Sequence, residues 1–140
     1  MNGSRLTSVL RIRTIQERRA RGELAASRLR LRRAELAERK TWTDLDERAL
    51  GAVVSALSLQ GESQLVAAGM RAAATQHDVT VQAVDGVAVA MDEWAIAARR
   101  VEGLERLAER VGAAERDEAA RLAANEIDDL VLARYTGPEA

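Results

Sequence analysis

Ser58-Leu59-Gln60-Gly61-Glu62-Ser63 decides how this chain folds, because long helical patterns run away from it in both directions. Before Gly61 the chain carries 13 Arg or Lys against 7 Asp or Glu, and from Gly61 onward it carries 8 against 15. The two halves therefore hold net charges of +6 and −7. Long helices of opposite charge, joined at a glycine-containing break, are expected to fold back on one another as an antiparallel pair. A glycine tolerated inside one continuous helix would instead give a single straight rod. The charge split favours the hairpin.

Working outward, each half shows a narrow stripe at alternating steps of three and four. The first runs Leu6, Leu10, Arg13, Glu17, Ala20, Leu24, Ser27, Leu31, Ala34, Glu38, Trp42, Leu45 and on to Leu59. The second runs Leu65, Gly69, Ala72, Gln76, Val79, Ala83, Val87, Ala90, Trp94 and on through Val111 to Leu122. Such spacing keeps one face of a helix turned toward a partner helix. Two successive steps of four, centred on Trp42 and on Ala83, predict a local relaxation of any supercoil in each half. The expected fold is all-α: a long antiparallel two-helix coiled-coil hairpin forming one domain. Helix 1 is expected over about 5–58, the turn over about 59–63 and helix 2 over about 64–134. Asn2 or Ser4 would cap the start, and Gly137-Pro138 would stop the end. A turn at Gly61 sets residues whose numbers add to about 122 opposite each other, such as Arg5 and Asp117. Residues beyond about Leu122 would then overhang as an unpaired helix. A short strand at Val79–Val84 is the rival local reading, but it would have no sheet to join.

Composition agrees with a thin seam. Hydrophobic residues make up 47% of the chain, but much of that is alanine, with no Phe, one Tyr and two Trp. Alanine and leucine can line a two-helix seam but cannot fill a thick core. Cysteine is absent, so neither a disulfide framework nor thiolate chemistry is available. The longest uncharged run, Ala49–Gly61, has 13 residues, short of the roughly 20 that span a bilayer. The charged Arg5–Arg21 stretch holds no apolar core of a secretory signal, so a cytoplasmic protein is expected.

Catalytic chemistry finds no support. His77 is the one histidine, beside Asp78 in a glycine-rich region, and reads as an exposed helix residue. There is no glycine-rich phosphate loop and no metal-ligand spacing. Glu126, Asp128 and Asp129 fall on nearly successive helix positions that diverge, which suits a solvated face better than a cation site. No enzyme activity, cofactor or metal is expected. Ten arginines between Arg5 and Arg33, against Glu17 and Glu23, point to an acidic partner or to the chain's own acidic half. Nucleic acid is not expected, because no aromatics are interleaved for base stacking.

Certain runs resemble a family. Arg5-Leu6-Thr7-Ser8-Val9-Leu10-Arg11-Ile12-Arg13 is similar to the opening of the flagellar export protein FliJ. Leu104-Glu105-Arg106-Leu107-Ala108-Glu109-Arg110 resembles that family's later L-E-K-L-x-E-R run, and Ile127-Asp128-Asp129 sits where the family has L-D-E. Ser4 and Ala123 depart from the pattern, standing where the family prefers Phe and Glu. The resemblance implies a stalk-like coiled coil of flagellar type III export. Its partners would be the export ATPase hexamer, the export gate protein and substrate chaperones, at the inner face of the cell membrane. It also implies that Arg5, Leu6, Leu10, Arg11, Arg13, Glu126, Asp128 and Asp129 meet those partners. A secreted type VII-like helical hairpin is one alternative, suggested by Tyr135 and Glu139, although Pro138 interrupts that spacing. A generic coiled-coil scaffold is the other.

Overall fold

The computed structural model describes residues 3–54 and 59–137. Two helices account for nearly all of them: α1 over Gly3–Val54 and α2 over Leu59–Tyr135. The helices pack against each other as an antiparallel helical hairpin, and the expected all-α class is the observed one. No strand forms at Val79–Val84, which lies inside α2.

The break between the helices is not where Gly61 suggests. Residues 59–63 are the first turns of α2, so the expected turn over about 59–63 is helical, and residues 55–58, between α1 and α2, lie outside the described residues. Gly61 has no positive φ, and none of the described glycines adopts one. Its helix penalty, about 1 kcal/mol relative to Ala, is small beside what a long packed seam contributes. The start also moves, because α1 already includes Gly3 and Ser4, so Ser4 does not cap it. At the other end the expectation holds. α2 closes at Tyr135, where the Thr136 amide and hydroxyl both donate to the Leu132 carbonyl, at 3.0 and 2.9 Å.

Contacts group the chain into two compact units, Glu17–Ala97, and Met1–Gln16 with Ala98–Ala140. In the first unit the covered positions of α1 are Glu17, Ala20, Leu24, Ser27, Leu31, Ala34, Glu38, Thr41 and Leu45. Those of α2 are Val66, Gly69, Ala73, Gln76, Thr80, Ala83, Val87, Ala90, Trp94 and Ala97. Both series alternate steps of three and four without interruption, so the heptad has no stutter here. The steps expected at Trp42 and Val79 are corrected by one residue, to Thr41 and Thr80. Each threonine satisfies its hydroxyl on the carbonyl four residues back, Thr41 on Ala37 at 2.9 Å and Thr80 on Gln76 at 3.1 Å. With its polar atom thus paired, a threonine fits the seam, and bulky Trp42 stays outside it.

Register is likewise shifted. Leu45 approaches Gly69 so closely that a Cβ on Gly69 would lie 2.8 Å from Leu45 Cδ1. Gln76 donates to the Ala34 carbonyl at 3.3 Å, and Trp94 donates to Glu17 at 2.8 Å. The residue numbers of these pairs add to between 110 and 114, not about 122. The earlier break explains the difference.

In the second unit the seam is made by Leu6, Leu10 and Arg13 of α1, with Val101, Leu104, Ala108 and Val111 of α2. Leu6 is only 2% exposed. Gly3 lies beside Glu115, whose Oε1 would be 3.6 Å from a Cβ there, so Arg5 does not meet Asp117 as expected. A carboxylate at that place complements the positive end of the α1 dipole, since the first turn of α1 holds no acid of its own.

Candidate partner-binding site

The unit containing Met1–Gln16 and Ala98–Ala140 holds every residue that sequence reading assigns to partners. Their environments differ. Leu6 is buried in the seam and Leu10 half-buried, so both are occupied in holding the helices together. Arg5 and Arg11 are exposed, while half-buried Arg13 donates to Gln16 Oε1 at 3.0 Å. Glu126, Asp128 and Asp129 are exposed on α2. They form no ion pair with the N-terminal arginines among the described residues. Glu115 sits beside the first described residue of α1, and Glu126 comes eleven positions later, a rise of about 16 Å along the helix. The structure therefore brings the basic and acidic groups into one unit without bringing them into contact.

Every residue of α2 from Ala113 onward is exposed. The unpaired segment begins some nine residues before the expected Leu122, again because the turn comes earlier in the chain. This segment is more than acidic. Ile127, Leu130 and Val131 lie on its surface and line a shallow cleft of about 400 Å³ together with Ala133 and Arg134. Sequence reading did not single out these apolar residues. The signal was present: Ala120, Ala123, Ile127 and Leu130 form a three–four line of their own, off the line of Val101, Leu104, Ala108 and Val111. A helix with one apolar line and six acids, all in solvent, is suited to dock against another protein surface.

Two acids of the other unit look inward instead. Glu17 is buried, accepting from Trp94 Nε1 at 2.8 Å and from Arg21 at 2.7 Å. The Trp94 hydrogen bond, chiefly, holds its carboxyl below the ordinary 4.5, against the opposing effect of burial. Half-buried Glu38 lies 2.8 Å from His77 Nδ1, and its carboxyl is lowered likewise, first by the Thr80 hydroxyl, which donates to the Gln76 carbonyl but can turn to Glu38, and then by the His77 ring. The Trp94–Glu17 and His77–Glu38 contacts cross from one helix to the other and favour one register over its neighbours a heptad away, the usual use of polar groups in a coiled-coil seam. Their role is structural. Among the described residues no group of three or more His, Asp or Glu is placed to hold a metal ion. No helix among them is long and apolar enough to cross a membrane.

The family model of the flagellar FliJ protein matches residues 1–139. No curated protein and no solved structure matches the chain.

Proposed function

This chain belongs to the flagellar FliJ family and is thereby a component of the flagellar export apparatus, and we propose that within it the chain acts as a stalk-like activator of the export ATPase. One observation carries the reading. The exposed α2 segment 113–137 extends past the covered part of the hairpin, in the same unit as Arg5, Arg11 and Arg13. A rigid helix with exposed apolar and acidic residues, next to a basic helix start, offers a ring of subunits both signs of charge and an apolar ridge. Charged contacts of this kind steer association and weaken with salt. The same end would serve contacts with the export gate, and substrate chaperones would be escorted by the chain at the inner face of the cell membrane.

The test is the ATP hydrolysis rate of the cognate export ATPase with and without the chain, which itself hydrolyses none. Stimulation at micromolar concentration is expected, and it should be lost when Arg11 and Arg13 are both changed to Glu while helicity is retained. Substitution of residues 60–63 should leave it nearly unchanged. An ATPase indifferent to the chain would overturn the reading.

A further inference from the structure

In a two-helix hairpin the heptad position opposite the seam faces solvent and is ordinarily polar. In the Glu17–Ala97 unit α2 obeys this, with Gln64, Arg71, Asp78, Asp85 and Asp92 along its outer line. α1 does not. Its outer line reads Gly22, Leu29, Leu36, Thr43 and Leu50, and the three leucines are 45%, 60% and 69% exposed. Arg18, Arg32 and Arg39 run along one side of this line and Arg19, Arg33 and Lys40 along the other, before Asp46 and Glu47 take over the two sides next to Leu50. None of these six cations takes part in an ion pair among the described residues, where α1 pairs only Arg21 and Arg30. Up to Lys40 the result is a ridge holding Leu29 and Leu36, seven residues apart, between two basic rows that take part in no ion pair among the described residues.

Three kinds of surface could answer a basic face. A membrane is a poor fit, because interfacial helices bury an apolar stripe at least about 100° wide and this one is a single residue across. A nucleic-acid backbone would leave the leucines against phosphates and would find no aromatic to stack on. A helix with apolar residues at heptad spacing and acids on both sides matches ridge and rows together. Arg33 also borders a cleft of about 510 Å³ that Ala34, Val79 and Gly86 help to line, with room for a side chain from such a helix.

We propose that the outer face of α1 from Arg18 to Lys40 docks an acidic amphipathic helix of a partner protein. This docking face is separate from the chain's terminal end and stands whether or not the ATPase reading does. The probe is a synthetic four-heptad helical peptide with one leucine line flanked by glutamates, followed by fluorescence anisotropy against the full chain. Binding should weaken as salt rises. It should fall by roughly tenfold or more, about 1.4 kcal/mol, in Leu29→Ser with Leu36→Ser, and likewise in Arg32→Glu with Arg33→Glu. Asp85→Ser, on the outer line of α2, should bind as the unaltered chain does, and a peptide with lysines for glutamates should not bind. Circular dichroism checks that the variants keep their helicity, as these exposed positions allow. Equal binding of the two peptides, or leucine variants that bind as well as the unaltered chain, would overturn the proposal. So would tighter binding of duplex DNA or phosphatidylglycerol vesicles than of the acidic peptide. A dimer of the chain alone that the leucine variants dissolve would also overturn it, since the occupant would then be a second copy.

Discussion

At the scale of single residues, the seam is held in register by a few polar atoms set among small apolar ones. Glu17 and Glu38 have carboxyls lowered by donors across the seam, Trp94 for the first and Thr80 with His77 for the second. A carboxyl whose folded pKa lies below its unfolded value adds stability above the unfolded value and loses it as pH falls through the folded one. Thermal unfolding should therefore be little changed from pH 7 to 5 and then decline below about 4.5, the ordinary carboxyl value. Trp94→Phe removes the indole donor and should lower the melting temperature at pH 7 while flattening that decline. Glycine gives a prediction of the opposite sign. Nothing lies within 4 Å of a Cβ placed on Gly22 or Gly103, and neither has a positive φ. Gly22→Ala and Gly103→Ala should each stabilise the chain by about 0.5–1 kcal/mol in urea denaturation. At Gly69, whose added Cβ would press on Leu45, valine should destabilise.

At the scale of elements, the two helices and most of the seam were legible in the sequence because three–four spacing needs no knowledge of the partner. Leu6, Leu10, Leu24, Ala34, Ala90 and Val101 fall on both the expected and the observed stripes. Four seam positions move by one residue: Trp42 and Val79 give way to Thr41 and Thr80, whose hydroxyls are locally bonded, and Leu65 and Ala72 give way to Val66 and Ala73. Register was not legible from the stripes, since any heptad can face any other. A usable signal lay in Glu17, which inside a seam requires a donor opposite, and Trp94 supplies it. The turn was hidden for a different reason, because Gly61 marks a weak helix former and not a bend. Cysteines separate the two registers. Leu45→Cys with Gly69→Cys should form an intrachain disulfide on oxidation. Leu31→Cys with Ala90→Cys, which suits a sum near 122, should not, since the observed register offsets that pair by roughly eight residues, about 12 Å.

At the scale of the whole molecule, the proposed partner contacts fall in the unit that holds both chain termini and the exposed segment 113–137. Motif resemblance singles out the basic residues Arg5 and Arg11 and the acids Glu126, Asp128 and Asp129, and all five are exposed. The apolar line of Ile127, Leu130 and Val131 became evident only once α1 was seen to leave it uncovered. Because residues from Ala113 onward bury little against the rest, ending the chain at Arg121 should shift thermal unfolding only slightly. The same truncation should remove stimulation of the export ATPase, which separates a partner contact from a stabilising one. The most direct measurement places a photo-crosslinking residue at Leu130, at Arg11 or at exposed Gln64 in the chain bound to its export ATPase. Adducts with the ATPase from Leu130 and Arg11, and none from Gln64, are the predicted result; adducts from Gln64 alone would contradict it.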